Sequence, residues 1–455
     1  MIRRAAALAA TLALAACSIR GVPLISLPKP SDPLARGIEV TERLRGLRFL
    51  SPVDVEWIPS SRVPEITRAE MLAELPDDYV EAYTAAYVAL GVLPPGIDLV
   101  GSLTRLQEDQ LVGLYSTRLR KLFVVRAPAA GAGYLRSTIL VHELVHALQH
   151  QHFPSTIELL QGLRRDDDVV SALSAALEGD ASFTMLGAGE SDGRSMDGAI
   201  SLSHAMRLDL DHPTGVLAQT PHFLGFSLLF PYVWGIVIAA ERWQERGAAG
   251  LDALMAEPPL SSLRVLYPDD ADPVAFVRLP RADLEAAAHA AGCELGHDNV
   301  AGALTVRVLF EEYGEGSDLD PLLRAWSGDR FVAAACADGA ALWWLTRWDD
   351  AASARRFAER YRRIAAPLAD ASGLHTIPSV RQSGRRVLVA TAGLATVGPA
   401  SAEVRSYDGI TDWVADACFP ESPCPVSPSD PGVHQAARAG ASARLPSQPR
   451  FHARP

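Results

Sequence analysis

Residues 141–149 read Val-His-Glu-Leu-Val-His-Ala-Leu-Gln, with His142 and His146 four positions apart and Glu143 between them. On an α-helix, side chains at this spacing lie one above the other on one face, about 5–6 Å apart at Cβ. Two imidazoles placed in this way can both reach one zinc ion through bonds of about 2.0–2.1 Å. The run therefore predicts a zinc-binding helix over about residues 137–150, buried by its apolar neighbours Ile139, Leu140, Leu144, Val145 and Leu148.

Glu143 follows the first histidine directly, so its side chain points beside the ion rather than at it. A carboxylate in this position can take a proton from a zinc-bound water, which is the role of the glutamate in H-E-x-x-H metalloproteases. The alternative is a surface helix with two solvated histidines, and the apolar residues around the run argue against it. We therefore predict that Glu143 is the general base of a zinc-dependent hydrolysis.

Two side chains compete to be the third zinc ligand, because a catalytic zinc site usually has three protein ligands and one open position. His152 stands at an offset from His142 that resembles the metzincins. Those proteins turn sharply before the third ligand, usually at a glycine, and Gln149 occupies that place. Glu178 stands on the next strongly predicted helix, residues 166–186, an arrangement that resembles the gluzincins. We predict Glu178 as the third ligand.

Several motifs resemble a poorly characterised group of bacterial gluzincin-like proteins. The likeness covers most of the chain from Ile38 to Gly393, and it implies a zincin-like fold with zinc as the cofactor but no particular substrate. The motifs are His-Glu-Leu-Val-His-Ala-Leu-Gln-His-Gln-His-Phe (142–153), Glu178-Gly179-Asp180-Ala181, Phe230-Pro231-Tyr232, Gly113-Leu114-Tyr115, Pro258-Pro259 and Trp326-Ser327-Gly328-Asp329-Arg330.

One position departs from thermolysin, in which an aspartate one helical turn after the third ligand supports the site. Ser182 holds that place here, and Asp180 comes two residues after Glu178. We take Asp180 as the candidate that orients His142 from behind, on the condition that Gly179 distorts the helix.

The tetrahedral oxyanion of peptide hydrolysis needs a further hydrogen-bond donor. Tyr232, His222 and His204 are the candidates, and the place of Tyr232 in Phe-Pro-Tyr favours it. A tyrosine in an apolar helix is also a common core residue, so a purely structural role stays open.

The site leads to three hypotheses about function. The first is hydrolysis of peptide bonds in an extended substrate, which could pair with a strand hairpin predicted beside the site, residues 111–115 and 122–125. The second is an inactive zinc-binding scaffold or adaptor, although metal binding alone does not need Glu143. The third is a metal-dependent amidase that acts on cell-wall material. A nucleic-acid partner is not expected, because the formal net charge is −12.

The N-terminus predicts a secreted, lipid-anchored protein. Arg3 and Arg4 precede an apolar stretch that ends in Leu-Ala-Ala-Cys17, too short to span a bilayer. It resembles the lipobox of bacterial lipoproteins, which implies a signal peptide over residues 1–16 and acylation of Cys17. A plain secretory signal with an incidental cysteine is the alternative. Residues 17–37 would form an extended tether, and Ser18 resembles the outer-membrane pattern of a Gram-negative cell.

The remaining cysteines fit an oxidising cell envelope. Cys418 and Cys424 are close enough for a local disulfide, and Cys293 would then pair with Cys336 by elimination. Four cysteines allow three connectivities, so the other pairings stay open.

We predict an α+β fold with a zincin-like catalytic domain over residues 38–270, a smaller α+β domain over 271–400, and a Cys-containing, largely disordered tail over 401–455. The catalytic domain includes a helix over 63–93 interrupted at Pro76, and an uncharged stretch over 223–240 that we assign to a buried core helix rather than a membrane span. The second domain includes helical patterning over 304–326, a hairpin of residues 331–336 and 341–346, a helix over 349–364 and a strand over 386–391.

Overall fold

A computed structural model describes residues 33–74, 77–108, 113–126, 133–189, 192–269, 275–278, 281–337, 339–374, 376–391 and 403–406. The fold is α+β, as predicted, with a larger helical region followed by a smaller region built on a β-sheet. The signal peptide, Cys17, most of the tether, the pair Cys418–Cys424 and most of the tail lie outside the described residues.

The helices are α1 Pro33–Arg45, α2 Val63–Glu74, α3 Asp77–Leu90, α4 Leu99–Glu108, α5 Gly133–His152, α6 Pro154–Gly162, α7 Asp167–Leu186, α8 Met196–Asp211, α9 His222–Arg246, α10 Ala248–Ala256, α11 Ser262–Leu266, α12 Arg281–Ala290, α13 Gly302–Glu312, α14 Asp320–Leu323 and α15 Ala351–Ser372. Short 3₁₀ turns lie at Ser60–Arg62 and Leu217–Gln219.

The strands are β1 Asp54–Pro59, β2 Gly113–Ser116, β3 Lys121–Arg126, β4 Ala275–Arg278, β5 Cys293–Asn299, β6 Trp326–Cys336, β7 Gly339–Trp348, β8 Ser379–Ser383, β9 Arg386–Ala390 and β10 Glu403–Ser406. They form a small sheet in the order β1-β3-β2, a larger one in the order β5-β6-β7-β9-β8, and the pair β10-β4. In the small sheet β1 is parallel to β3, whereas β2 and β3 form the predicted antiparallel hairpin.

Helix α5 carries the histidine run and is buried between the small sheet and α1. Tyr115 of β2 and Leu122 of β3 form one apolar cluster with Leu140, Leu144 and Ala147 of α5. The apolar residues that flank the run therefore pack as predicted.

Helix α1 packs on α5 through a glycine, and its position corrects the predicted tether. A Cβ added to Gly37 would lie 3.0 Å from side-chain atoms of both Leu140 and Leu144, so the two helices are in close contact. Residues 33–37 form the start of α1 and not an extended tether. The tether prediction is wrong for these residues, because Pro33 is tolerated in the first turn of a helix and Leu34 and Ile38 have an apolar surface to cover.

Helices α7 and α9 cross with their backbones almost in contact. A Cβ on Gly179 would lie 2.1 Å from the carbonyl oxygen of Gly235, and one on Gly235 would lie 2.2 Å from that of Ala175. Only glycine permits so close an approach. This crossing sets the distance between Glu178 on α7 and Tyr232 on α9.

One helix of the described residues, α9, is long and apolar enough to cross a membrane. Its most apolar window of 18 residues is 83% buried by the rest of the protein. This burial agrees with the buried core helix predicted for residues 223–240.

The C-terminal region is organised around the sheet of β5 to β9. Cys293 and Cys336 lie directly opposite each other in β5 and β6 and form a disulfide, so this predicted pairing is confirmed. The predicted hairpin is also confirmed as β6 and β7, and the predicted strand over 386–391 is β9. Helix α15 begins after its N-cap residue Asp350, whose carboxylate accepts from the backbone N–H of Ser353.

Two details of this region differ from the sequence prediction. The helical patterning over 304–326 covers α13 and α14, but Trp326 already begins β6, where it is fully buried. Residues 403–406, placed in the tail, form β10 and pair with β4. The proposed division at residue 270 stays a prediction, and one continuous hydrophobic core contains residues from both sides of it, such as Tyr87 and Phe331.

Candidate metal centre

Three predicted ligand atoms converge on one point inside the protein. His142 Nε2 lies 3.0 Å from Glu178 Oε2, His146 Nε2 lies 3.4 Å from the same oxygen, and the two nitrogens are 3.1 Å apart. Tetrahedral zinc with bonds of about 2.0–2.1 Å has ligand atoms about 3.3 Å from one another. The triangle of His142, His146 and Glu178 thus has the dimensions of one face of such a tetrahedron and could hold a metal ion.

The charges of these groups are coupled because all three are buried. Burial opposes ionisation of Glu178, but the imidazoles of His146 and His142 offset it and hold the pKa of Glu178 below its usual value. Burial also opposes the charged form of His146, but the Glu178 carboxylate outweighs this effect and raises the pKa of His146 to about 9. Protons therefore compete with a metal ion for this site.

Glu143 lies beside the triangle and is anchored by the small sheet. Its Oε2 accepts a hydrogen bond of 2.8 Å from the backbone N–H of Tyr115 in β2. A Cβ on Gly113 would lie only 3.0 Å from Glu143 Cγ, so the absence of a side chain there lets the strand approach. Burial raises the pKa of Glu143, partly opposed by His142, His146 and the Tyr115 N–H. Glu143 is thus held next to the ligands with its proton affinity increased.

The structure separates the other candidates by position. Tyr232 is buried and its ring stacks on that of His142, with centroids 6.2 Å apart and planes at 23°. His222 begins α9, several turns from Tyr232, where its Nε2 lies 3.2 Å from Glu311 Oε2. His204 is exposed on α8. Of these three proposed donors, Tyr232 is the one that contacts a candidate metal ligand, His142.

His152 is turned away from the site, as the choice of Glu178 requires. The helix continues without a turn through Gln149 to His152. His152 Nε2 donates to the backbone carbonyl of Arg48 at 2.7 Å.

Asp180 supports the site, but through a different histidine from the one predicted. Helix α7 stays regular through Gly179, so Asp180 points about 200° away from Glu178 around the helix. Its Oδ2 accepts from Gln149 Nε2 at 2.9 Å, and Gln149 Oε1 lies 2.9 Å from His146 Nδ1. Among the described residues, His142 Nδ1 is buried without a hydrogen-bond partner. The predicted contact of Asp180 with His142 is therefore wrong.

Gln149 is the site residue that sequence reasoning missed. In the sequence it stands out only as the residue in the place of a turn-forming glycine. Its position three residues after His146, on the same helix face, is the signal that could have identified it.

Residues 293–403 match the model of one protein family, described as a domain of unknown function (DUF8575). The match covers β5 to β9 and the start of β10, and it does not include α5 or α7 with the candidate ligands. No curated protein matches the chain. No solved structure matches it.

Proposed function

We propose that the chain is a zinc-dependent hydrolase of peptide bonds with a zincin-like, gluzincin-type centre. His142, His146 and Glu178 would hold the ion, and Glu143 would be the general base. The proposal is carried by one observation. Three buried ligand atoms converge within 3.4 Å of one another, beside a second carboxylate, that of Glu143, which the triangle does not use.

The donor set supports zinc in particular. Imidazole nitrogen and carboxylate oxygen are ordinary zinc ligands, and three protein ligands are typical of catalytic sites with one open position. When bound, zinc would polarise a carbonyl group and lower the pKa of water.

Two side chains of the protein would take part in the reaction. One would transfer a proton, and the other would stabilise negative charge. Glu143 would accept the proton of the attacking water and pass it to the leaving amine, and its raised pKa suits both steps. The Tyr115 N–H would keep the Glu143 carboxylate in place. Tyr232, stacked beside His142, would donate a hydrogen bond to the developing oxyanion.

We propose an extended peptide as the substrate, because β2 is at an edge of the small sheet as the structure describes it and lies directly over Glu143. We also propose that acylated Cys17 anchors the protein to the cell envelope. That proposal rests on the lipobox-like sequence before Cys17.

A structural zinc site in a non-hydrolytic scaffold is the second candidate. The near-complete burial of the ligands favours it, since none of the three exposes more than 4% of its surface. Structural zinc sites, however, usually have four protein ligands. The triangle has three, and metal binding alone gives no reason to bury Glu143 beside it.

The two candidates differ in what Glu143→Gln does. We expect about one zinc ion per chain in the purified protein and the same zinc content in Glu143→Gln. That variant should cleave a peptide library about 10²–10⁴-fold more slowly than the wild type. Glu70→Gln is the matched control, because Glu70 is also a buried carboxylate bonded to β2, through Ser116 Oγ. Unchanged cleavage by Glu143→Gln would refute the mechanism, and zinc uptake without any cleavage by the wild type would favour the scaffold.

A further inference from the structure

Gln149 of α5 contacts the side of His146 that faces away from the metal centre. Its Oε1 lies 2.9 Å from His146 Nδ1, and its side chain is almost completely buried. His146 therefore has its two ring nitrogens in different environments, since Nε2 points at Glu178 and His142. The proton must be on Nδ1 for Nε2 to bind a metal ion.

Hydrogen bonds of the Gln149 amide fix which end faces His146. Its Nε2 donates to the backbone carbonyl of Leu177 at 3.0 Å and to Asp180 Oδ2 at 2.9 Å. Both partners are oxygens that accept hydrogen bonds, so the NH₂ group must face them. The other end, facing His146, is then the carbonyl oxygen, which only accepts. His146 must therefore donate from Nδ1.

The carboxylate that orients Gln149 is itself held by a distant helix. Arg45, the last residue of α1, places its Nε 2.8 Å from Asp180 Oδ1 and 3.1 Å from Oδ2. Both side chains are buried. Arg45 Nη1 continues the chain to Asp252 Oδ1 on α10, at 2.9 Å. A row of contacts thus extends from α10 through α1 and α7 to one metal ligand on α5.

Resting on the proposed function, we infer that Gln149, held by Asp180 and Arg45, is a positioning residue that keeps the proton of His146 on Nδ1 and so sets the metal affinity of the site. Partners behind a metal ligand are known to change affinity about 10–100-fold when they are replaced. The amide of Gln149 contacts both the Asp180 carboxylate and His146, so it transmits the effect of Asp180 to the histidine. The site consequently depends on the docking of α1, the helix that begins within the predicted tether.

The test compares Gln149→Met with Gln151→Met in the full chain. Methionine has a similar length but offers only a weak hydrogen-bond acceptor in place of the Gln149 carbonyl oxygen. Gln151 is the matched control because it lies on the same helix and accepts from the backbone N–H groups of Leu50 and Ser51, away from the site. We expect the zinc dissociation constant to rise about 10–100-fold for Gln149→Met and to change less than about threefold for Gln151→Met.

A spectroscopic signal separates positioning from loss of folding. In protein labelled with ¹⁵N-histidine, the resonance of the His146 Nδ1 proton reports how fast this proton exchanges with water. The exchange should be slow in the wild type, both with and without zinc, and rapid in Gln149→Met. Gln149→Glu retains an acceptor for His146 but loses both donors, so we expect it to keep the protected resonance while its thermal stability falls.

Two results would overturn the inference: a wild-type Nδ1–H that is not protected, or wild-type zinc affinity in Gln149→Met. Absence of zinc from the wild type would instead overturn the proposed function. The resonance in zinc-free protein distinguishes the two failures.

Discussion

Gly179→Ala should disrupt the crossing of α9 with α7, the helix that carries the candidate ligand Glu178. The added Cβ would lie 2.1 Å from the carbonyl oxygen and 2.4 Å from the carbonyl carbon of Gly235, whereas real Cβ contacts are essentially never under 3.0 Å. The opposing atoms belong to the backbone, so no side chain can rotate away. The two helices must therefore separate by about 0.9 Å, a gap that forfeits about a quarter to a half of the dispersion energy of each contact across it.

The expected cost follows from two opposing terms. Replacing a helical glycine by alanine gains about 1 kcal/mol of helix propensity, whereas overpacking a core costs about 1–3 kcal/mol or more. Because the clash is with rigid backbone, we take the upper end of that cost and expect a net loss of about 2 kcal/mol in the free energy of unfolding. Zinc affinity should fall as well, because Glu178 is adjacent to the clash and would move with α7.

Urea unfolding followed by circular dichroism measures the effect. Gly225→Ala is the control, because among the described residues its Cβ would meet the side chain of Leu217, whose flexible end, Cδ1, is nearest at 2.8 Å. The control should therefore stay within about 1 kcal/mol of the wild type. If Gly179→Ala is as stable as Gly225→Ala, the close crossing of α7 and α9 is wrong.

Two further predictions concern metal removal and pH. Chelation of the metal should lower the unfolding temperature of the wild type but not of Glu178→Ala. A free metal concentration of about 100 times the dissociation constant stabilises the folded state by about 2.7 kcal/mol. Equal shifts in the two proteins would contradict the ligand assignment. Burial lowers the pKa of His297 from 6.5 to about 4, so the unfolded chain binds its proton first as the pH falls. The free energy of unfolding should therefore fall by up to about 3 kcal/mol between pH 6.5 and pH 4. In His297→Gln this fall should be smaller. An acid-unfolding curve of the variant identical to that of the wild type would contradict the prediction.

The local parts of the site could be predicted from the sequence because their geometry depends on neighbours along one element. His142, Glu143 and His146 share a helix, and the helical period alone places the two imidazoles together. The hairpin of β2 and β3 and the cap of α15 at Asp350 follow equally from short-range patterns. Pairing of Cys293 with Cys336 was favoured because Cys418 and Cys424 are close in sequence, but the sequence left the other connectivities open, and the structure decided among them.

Contacts between distant elements could not be predicted in the same way. The sequence suggested Glu178 as a ligand, but only the crossing of α5 with α7 brings its oxygen to 3.0 Å from His142 Nε2. The prediction that Asp180 supports His142 was wrong, because the rotation of α7 against α5 decides which histidine Asp180 supports. Arg45 gave no signal at all, since its partner is 135 residues away.

The amino-acid sequence by itself determined the chemistry available to this protein: two imidazoles and a carboxylate on one turn of helix, with apolar faces that require burial. The tertiary structure alone decided how that chemistry is assembled, through a glycine crossing, a shared carboxylate and an arginine from α1. The physical reason is the distance along the chain over which each kind of pattern acts. Helical and strand periods act over a few residues, whereas burying a charged group demands a partner whose place in the chain no period encodes.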